Sequence, residues 1–343
     1  MSATVGEILA LLEGKRLERF PVFSGLPSLT RLGLEACGLQ FGEVHRDAAK
    51  MAAAAATTYE LFGFESAVVP FDLCVEAEAL GCEVNFNDEL PFIVHPTIAT
   101  RLGSTPEGLD LHPPLELALA GRLPVVMEAI WLLKSRVGRE VAVGAWIPGP
   151  FTLAWQIIEV EPLILSVASP AHVAPLLARL AAILAQVARC YREAGADFIT
   201  IHEMGGSPRI VGPQAFRTLI LPALRSLIAQ VPAPRVLSVC GHTQPVMADL
   251  TGCGVEAISV DQRCDLARAR EVVGPEPLLF GNFDPVGVLA DGTPETVAAT
   301  VRAIAAAGAD AIWPGCDLWP EVPAENMSSL VETAKGLRRN GRP

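Results

Sequence analysis

The chain has 343 residues, with 26 Lys and Arg against 38 Asp and Glu, and 51% of its residues are hydrophobic. The formal net charge of −12 disfavours nucleic acid and anionic membrane surfaces as partners, because both attract basic faces. The mean hydropathy of +0.38 is high, but the longest charge-free run, residues 141–158, is interrupted by a Pro-Gly-Pro sequence, so no membrane-spanning helix is predicted. The N-terminal segment lacks the basic start of a secretory signal, and we expect a cytoplasmic protein.

Short apolar runs alternate along the chain with longer segments of helical periodicity. Eight runs are predicted strands: FPVFS (20–24), AVVPF (67–71), VAVGAW (141–146), DFITI (197–201), RVLSV (235–239), AISV (257–260), LLFGN (278–282) and DAIWPG (310–315). The predicted helices between them include residues 171–193 and 294–307, the second with Thr293 as N-cap and Pro294 at its first position. Eight alternating units predict an α/β fold, a closed (β/α)8 TIM barrel that forms a single domain over residues 1–343.

Three junctions between a helix and a strand repeat the same pattern. AGADFITIHE (194–203), CGVEAISVDQ (253–262) and AGADAIWPGC (307–316) share a glycine, a small residue, an acid and then a strand. We expect the glycine to end the helix in the left-handed conformation and the acid to lead into the strand.

The segment between the second and third predicted strands is too long for one barrel helix. Residues 72–140 are rich in turn-forming types, and we predict that they form an insertion over the strand ends. A small hairpin is predicted within it, from CEVNF (82–86) and PFIVHP (91–96).

Nearly every predicted strand ends in a polar or metal-ligating residue. In such barrels the loops after the strands form the active site, so a ring of polar ends predicts a functional pocket. Ser24, Asp72 and Glu76 follow the first two strands and are predicted to bind substrate. The later strand ends supply His202 and Glu203, Cys240 and His242, Asp261, Asn282 and Asp284, and Cys316 and Asp317.

Cys240, His242 and Cys316 form a candidate metal site. Thiolates and an imidazole bind Zn²⁺ in tetrahedral geometry, and Asp261 or Glu203 could supply a fourth ligand. Cys240 and His242 are two residues apart, so they point the same way if the strand continues. The alternative is that these cysteines are inert thiols, as most of the eight cysteines are expected to be, because the chain has no CxxC pair.

Two further strand ends carry candidate catalytic and binding residues. His202 and Glu203 precede a flexible MGGSP loop and could transfer protons, although a buried structural His is the alternative. Asn282 and Asp284 lie in GNFDP and could bind the amide edge of a heterocycle or simply cap the next helix. No dinucleotide-binding, P-loop or nucleophile-elbow motif is present.

Several stretches, in order along the chain, resemble the uroporphyrinogen decarboxylase superfamily and, within it, the corrinoid-dependent methyltransferases. They are RFPVFSG (19–25), PFDLCVEAEALGCEV (70–84), HEMGGSP (202–208), SVCGHTQPVMADLTGCGVEAISVD (238–261), GNFDP (281–285) and PGCDLWPEVPAENM (314–327). The resemblance implies a (β/α)8 barrel. The decarboxylases carry an Arg-rich motif of the RQAGR type after the first strand, whereas this chain has FSGLPSLTR, so the resemblance is to the methyltransferase branch.

In the zinc enzymes of this branch, the His and Cys of an HxCG motif and the Cys of PGC hold the metal, which activates a thiol such as coenzyme M. Cys240 and Cys316 match that pattern, but Ser238 stands in place of the His. The resemblance therefore implies an incomplete zinc site, which His242 or Asp261 could complete, and makes zinc the less favoured cofactor.

Relatives without the zinc ligands resemble methylcorrinoid–tetrahydrofolate methyltransferases. The preferred hypothesis is therefore methyl transfer between a corrinoid on a partner protein and N5 of tetrahydrofolate. Asn282 would bind the pterin, Glu203 and Asp261 would orient it and act as catalytic carboxylates in proton exchange, and His202 would be an alternative proton carrier. The alternatives are a zinc-dependent methylcorrinoid:thiol methyltransferase, a decarboxylase-like enzyme, and a non-catalytic module that binds a corrinoid protein.

Overall fold

The structure, a computed structural model, describes residues 5–88, 90, 93–107, 109, 111 and 113–339. Its strands are β1 Ser66–Val69, β2 Glu83–Asn85, β3 Thr97–Thr100, β4 Ala142–Pro148, β5 Phe198–Glu203, β6 Arg235–Val239, β7 Ala257–Val260, β8 Leu278–Phe283 and β9 Ala311–Pro314. In the described part of the chain, seven of them pair in parallel in the order β1-β4-β5-β6-β7-β8-β9. These seven correspond to seven of the eight predicted strands.

The eighth predicted strand, residues 20–24, lies between β9 and β1 and closes the sheet. Val22 forms a parallel bridge with Ile312 of β9. On its other side the Val22 carbonyl accepts a hydrogen bond from Glu65 N, at 2.9 Å. Pro21 has no N–H to donate, so only a short ladder forms here. The closed (β/α)8 barrel is confirmed.

Helices follow most of the strands and cover the outside of the barrel. They are α1 Val5–Leu12, α2 Arg31–Cys37, α3 Ala48–Phe62, α4 Val75–Ala79, α5 Leu123–Arg136, α6 Pro150–Ile157, α7 Val160–Ser166, α8 Pro170–Glu193, α9 Pro208–Val211, α10 Pro213–Ala215, α11 Leu221–Ile228, α12 Met247–Thr251, α13 Leu266–Val273, α14 Pro294–Ala306 and α15 Ala324–Gly336. The predicted cap of α14 is confirmed, because the Thr293 hydroxyl accepts a hydrogen bond from Thr296 N.

The barrel interior is filled by aromatic side chains from different strands. Phe23 lies edge-on to Trp313, with ring centroids 4.9 Å apart, and Trp313 stacks on Phe280. Phe198 of β5 packs over Gly144, its partner in register on the neighbouring strand β4, where an added Cβ would lie 2.7 Å from the ring. Apolar residues of α1 join this core, so that helix closes the amino-terminal end of the barrel.

The three repeated junctions place a carboxylate beneath the neighbouring strand. Asp197 accepts a hydrogen bond from Val143 N at 2.8 Å, and Asp310 accepts one from Leu279 N at 2.9 Å. Glu256 does the same for the first residue of β6. The glycine two residues before each acid has a positive φ, as predicted. In all three repeats, therefore, the acid accepts a hydrogen bond from a backbone N–H group of the neighbouring strand at the base of the barrel.

The segment between β1 and β4 contains an antiparallel hairpin of β2 and β3. The first predicted arm contains β2, but the second arm was placed too early. Of the predicted arm 91–96, residues 91 and 92 lie outside the described residues, 93–96 are not in a strand, and β3 begins at Thr97. Residues of β3 line the cavity described below, whereas α5, at the end of the segment, packs as a barrel helix against α3.

By length and composition, α8 is the one helix in the described residues that could cross a membrane. It has 24 residues, and 56% of its most apolar window is buried. The helix packs against α6 and α11, as a core helix of a globular fold does. All eight cysteines are free thiols.

Candidate metal centre and active site

Three side chains with metal-ligating atoms meet at the carboxyl end of the barrel. His202 ends β5 with Glu203, Cys240 follows β6, and Cys316 lies two residues beyond β9. The Cys240 Sγ atom is 3.6 Å from His202 Nε2 and 3.8 Å from Cys316 Sγ. All three ligand atoms lie within 4.8 Å of one another. The structure thus joins both cysteines of the predicted metal site to His202 rather than to His242.

The spacing of these atoms fits a tetrahedral zinc ion. With Zn–S bonds of about 2.3 Å and Zn–N bonds of about 2.0–2.1 Å, tetrahedral angles separate two sulfurs by about 3.8 Å and a sulfur from a nitrogen by about 3.6 Å. Both separations around Cys240 have these values. Three protein ligands leave a fourth position for water or substrate, as in catalytic zinc sites. His202, Cys240 and Cys316 could therefore hold Zn²⁺.

The pairing of β5 with β6 brings His202 next to Cys240. His202 is in register with Ser238 of β6. Cys240 comes two residues after Ser238 and points to the same face of the chain. Gly241 follows with φ of +82°, which ends the extended conformation. His242 is consequently exposed, and it lies outside the cluster.

Cys316 reaches the cluster because Gly315 allows close contact with the loop after β7. An added Cβ at Gly315 would lie 2.5 Å from Oε1 of Gln262 and 2.8 Å from its backbone nitrogen. Gly315 N also donates a hydrogen bond to Phe283 O at 2.8 Å. These contacts fix the backbone immediately before Cys316.

Mutual contacts shift the pKa values within the cluster. The hydrogen bond from Cys316 lowers the pKa of Cys240 well below its ordinary value, against the effect of burial and with help from His202. The same hydrogen bond, together with burial, raises the pKa of Cys316. Burial favours neutral His202, but the charge of Cys240, its hydrogen bond and the charges of Asp317 and Glu203 together outweigh burial and raise the histidine pKa. These contacts thus favour the thiolate form of Cys240, which is the form of cysteine that binds metals.

Two neighbours orient the His202 ring. The Ser238 hydroxyl lies 3.1 Å from Nδ1, which leaves Nε2 directed towards Cys240. The Trp146 ring stands edge-on to the imidazole, with centroids 6.0 Å apart. Its Nε1 donates to Pro70 O at 2.7 Å, which holds the indole in place.

A cavity of about 390 Å³ opens beside the cluster. His202 and Cys316 line it on the barrel side, and residues of the β2–β3 hairpin and of α6 line it opposite. Its surface includes the apolar side chains Phe71, Trp146, Trp155 and Met204 and the cationic side chain Arg101. The cavity is large enough for a small organic substrate next to the metal-ligating atoms.

Glu203 was predicted to be catalytic; in the structure its carboxylate is hydrogen-bonded to α6 and the following loop, and it is not a member of the three-residue cluster. The side chain is fully buried. Its oxygens accept hydrogen bonds from Phe151 N at 3.1 Å, Gly206 N at 2.8 Å and the Thr152 hydroxyl at 2.5 Å. Burial raises the pKa of Glu203. Successive strand residues face opposite sides, so Glu203 holds the first turn of α6 while His202 faces the cavity.

Asp261 was predicted to be catalytic and Asn282 to bind substrate, but the Asp261 carboxylate and the Asn282 amide nitrogen are hydrogen-bonded within the loops. Asp261 Oδ1 accepts from Arg263 N at 2.9 Å, and Oδ2 accepts from Gly241 N. Burial raises the pKa of Asp261. The Asn282 amide nitrogen donates to Asp261 O at 2.9 Å and to Cys264 O at 2.8 Å. Both residues thus stabilise the turns that carry the cluster.

Asp72 lines the cavity, as predicted for a substrate-binding residue, but it is already paired. Arg122 binds both of its oxygens, at 2.8 and 3.0 Å, and His45 Nδ1 lies 2.8 Å from Oδ2. Burial opposes ionisation, but these hydrogen bonds outweigh it and keep the pKa of Asp72 far below its ordinary value.

The remaining predicted substrate-binding residues have local partners. Ser24 is buried and its hydroxyl accepts from Leu26 N. Asp284 caps the helical turn that follows it, through Val286 N and Gly287 N, which is the alternative that the sequence left open. Glu76 is buried with the Tyr191 hydroxyl 3.4 Å away. None of these three lines the cavity among the described residues.

Sequence reasoning assigned His202 to proton transfer and missed its position beside both cysteines. It also missed Ser238 as the partner of His202, because only its inability to bind zinc was considered. Aligning the carboxyl ends of β5 and β6 would have placed Ser238, two residues before Cys240, beside His202. This alignment is the signal that could have found the contact between His202 and Ser238. Arg101 was missed because it follows a strand of the hairpin rather than of the barrel.

A closed parallel barrel with a Cys₂His cluster at its carboxyl end defines a TIM barrel whose mouth could hold a metal ion. Comparison with known families identifies it further: the chain belongs to the uroporphyrinogen decarboxylase (URO-D) family, whose model matches residues 5–337.

Two similar proteins and one solved structure place the chain within this family. Over 334 residues it is 31% identical to the methylcobamide:CoM methyltransferase MtaA of Methanosarcina barkeri, covering 94% of this chain and 95% of the relative. It is also 31% identical to MtbA of Methanosarcina mazei, a protein with the same described activity, covering 95% and 96% of the two chains. The structure of a methyltransferase from Methanosarcina mazei superposes with a TM-score of 0.90 at 28% identity, covering 96% of this chain and 97% of that one.

These relatives confirm the predicted corrinoid-dependent methyltransferase branch and the enzyme class. They do not support tetrahydrofolate as the methyl acceptor, because the similar enzymes are named for a thiol, coenzyme M. The relatives thus favour the alternative hypothesis over the preferred one.

Proposed function

We propose that this protein transfers a methyl group from a methylated corrinoid to the sulfur of a small thiol of the coenzyme M class. Zn²⁺ held by His202, Cys240 and Cys316 is the proposed cofactor. The observation that carries the proposal is the spacing of 3.6 and 3.8 Å around Cys240 Sγ, which suits a tetrahedral zinc ion. The described activity of the relatives supports the substrate pair.

The reaction forms a carbon–sulfur bond and breaks a carbon–cobalt bond. The thiol loses its proton to water at the mouth of the cavity, and its sulfur attacks the methyl carbon opposite cobalt. Cobalt keeps the electron pair and passes from Co(III) to Co(I). When bound, Zn²⁺ acts as a Lewis acid that lowers the pKa of the acceptor thiol, so that a thiolate exists near neutral pH.

The protein's residues would orient the proposed zinc ligands and form an apolar wall beside the acceptor sulfur. Ser238 fixes the His202 ring through Nδ1, and Asp261 fixes the turn after Cys240 through Gly241 N. Trp146 and Phe71 supply apolar cavity wall beside the cluster. The corrinoid, on a partner protein or free, would approach the mouth at the carboxyl end of the barrel. Positioning of this kind contributes strongly to rate when two reactants are otherwise loosely associated.

The side-chain positions give less support to tetrahydrofolate as the methyl acceptor. Of the three residues expected to orient a pterin, Asp261 and Glu203 use their carboxylates and Asn282 uses its amide nitrogen to hold backbone groups of the loops. A pterin would have to displace these bonds. The thiol acceptor needs no such rearrangement, because the cavity already borders the cluster.

Metal analysis combined with a methyl-transfer assay tests the proposal. We expect about one zinc per chain in the purified protein. Zinc should be lost in His202→Ala, Cys240→Ala and Cys316→Ala. His242→Ala is the matched control and should keep both zinc and activity, because this exposed histidine lies outside the cluster.

In the assay, free methylcobalamin should be demethylated with a thiol acceptor, and the rate should follow the zinc content of the variants. Demethylation with tetrahydrofolate but not with a thiol would overturn the proposal. Full zinc content in His202→Ala together with loss of zinc in His242→Ala would overturn the assignment of the ligands.

A further inference from the structure

The cavity beside the cluster contains one cation that the described residues leave unpaired. Of its ionic lining residues, Asp72 is neutralised by Arg122 through two hydrogen bonds. The Arg101 side chain has no hydrogen bond or ion pair within the described part of the chain, and its Nε is buried without a partner. A guanidinium nitrogen withdrawn from water without an acceptor is unfavourable, so such a group calls for an explanation.

The backbone next to Arg101 is hydrogen-bonded to α6, which also contacts the strand that carries His202. The next residue, Leu102, donates from its backbone nitrogen to Ile157 O at 3.0 Å, at the end of α6. The first turn of α6 is held by the carboxylate of Glu203, through Phe151 N and the Thr152 hydroxyl. Glu203 directly follows His202. A short, hydrogen-bonded path therefore connects the cation to the cluster, and both face the same cavity of about 390 Å³.

Two chemical groups of the cavity, the Cys₂His cluster and Arg101, define the kind of molecule that would fill it. The Cys₂His end suits a thiol, as argued above. The other end presents a planar guanidinium, which binds carboxylate, sulfonate or phosphate oxygens through two parallel N–H groups. Apolar side chains such as Trp146 and Trp155 form much of the remaining lining, and the remaining acid, Asp317, directly follows Cys316.

We propose that Arg101 binds an anionic group on the thiol acceptor and so selects acid-bearing thiols over neutral ones. This inference rests on the proposed thiol methyltransferase function. It adds a specificity-determining residue, contributed by the hairpin between β1 and β4 rather than by the barrel. The net charge of −12 would otherwise repel an anionic acceptor.

The test compares matched thiols with matched variants. Demethylation of free methylcobalamin is measured with 2-mercaptoethanesulfonate, 3-mercaptopropionate and neutral 2-mercaptoethanol. The variants are Arg101→Met, which removes the charge at similar length, and Arg101→Lys, which keeps it. Arg302→Met, at an exposed position on α14, controls for the loss of one positive charge.

In the wild type, we expect kcat/KM to be higher for both acidic thiols than for 2-mercaptoethanol. Arg101→Met should lower kcat/KM for the acidic thiols by about 10- to 100-fold, mainly through KM, because a hydrogen bond to a charged group is lost. It should leave the value for 2-mercaptoethanol nearly unchanged. Arg101→Lys should fall between the two, and Arg302→Met should match the wild type.

Equal losses for acidic and neutral thiols in Arg101→Met, or a wild type without preference for acidic thiols, would overturn the inference while leaving the thiol methyltransferase proposal intact. Calorimetric binding of ethanesulfonate, which has no thiol, separates the two claims. If the wild type methylates no thiol but binds ethanesulfonate in a manner that Arg101→Met abolishes, the proposed function fails and the anion site stands. If ethanesulfonate and 2-mercaptoethanesulfonate bind Arg101→Met as tightly as the wild type, the anion site fails.

Discussion

His202 of β5 and Ser238 of β6 face each other across a parallel strand pair, with the serine hydroxyl 3.1 Å from the imidazole Nδ1. This contact leaves Nε2 next to the sulfur of Cys240, at 3.6 Å. Metal-ligating histidines commonly bond their second nitrogen to an orienting group of this kind. Ser238 stands where the family resemblance implied a missing zinc ligand. It thus orients His202, the proposed ligand on the neighbouring strand.

Replacing Ser238 by Ala should weaken zinc binding without unfolding the protein. Loss of an orienting partner of a metal-ligating histidine typically lowers metal affinity by about 10- to 100-fold. Competition with a chelator of known affinity measures the change. Ser259→Ala is the matched control, because Ser259 of β7 pairs in register with Ser238 of β6 and its buried hydroxyl has no hydrogen-bond partner among the described residues. Equal zinc affinity in the two variants would contradict the orienting role.

Glu203→Gln should lower stability rather than remove the metal. The carboxylate accepts three hydrogen bonds. An amide at this position would direct its own N–H group towards one of these donors, and that hydrogen bond would be lost. We expect the free energy of unfolding to fall by about 1–3 kcal/mol in urea titrations, with zinc content unchanged. Glu325→Gln, at an exposed position in the first turn of α15, should have little effect. A variant of full stability with strongly reduced kcat would instead favour the catalytic role predicted from the sequence.

Glu76 should make the protein less stable as the pH rises. Burial, and then the nearby charge of Asp72, raises its pKa from 4.5 to about 8, although Arg122 and the Tyr191 hydroxyl act against this shift. Between these values the folded protein holds a proton that the unfolded chain releases. The contribution of Glu76 to the free energy of unfolding therefore falls by about 1.4 kcal/mol per pH unit in this window.

Glu76→Gln removes this titration and keeps the shape of the side chain. Urea unfolding of both proteins across the window should show the variant gaining stability relative to the wild type as the pH increases. Contributions shared by the two proteins, including the pH dependence of metal binding, cancel in the difference. Parallel stability curves would mean that Glu76 titrates near its ordinary pKa.

Asp310→Ala should be strongly destabilising, because it removes the shared partner of several groups at the base of the barrel. Asp310 is buried, accepts from Leu279 N and forms ion pairs with Arg270 and Arg339. Removing one member of a buried ionic group typically costs about 3–5 kcal/mol. Thermal or urea unfolding measures the loss. Asp291→Ala, at an exposed position, should change stability by less than about 0.5 kcal/mol.

The sequence by itself determined the barrel, because the signals involved are local. Apolar runs, the Thr293 cap with Pro294, and the glycine–acid junctions each depend on residues close together in the chain. Seven predicted strands form in the sheet, and the eighth forms a short bridge where Pro21 limits pairing. The motif resemblance likewise indicated the correct branch of the family, because it depends on residue types in sequence order. The single-domain assignment and the cytoplasmic location stay predictions.

The tertiary structure decided which strand-end residues form the site. Whether His202 or His242 joins the cysteines depends on the lateral register of β5 with β6 and on the turn at Gly241, and neither is encoded within one strand. A polar residue type also does not reveal whether its atoms are free: Glu203 and Asn282 use theirs to satisfy backbone groups of neighbouring loops. Buried backbone N–H and C=O groups require partners, so some strand-end polar residues serve the fold and only the rest are available for chemistry.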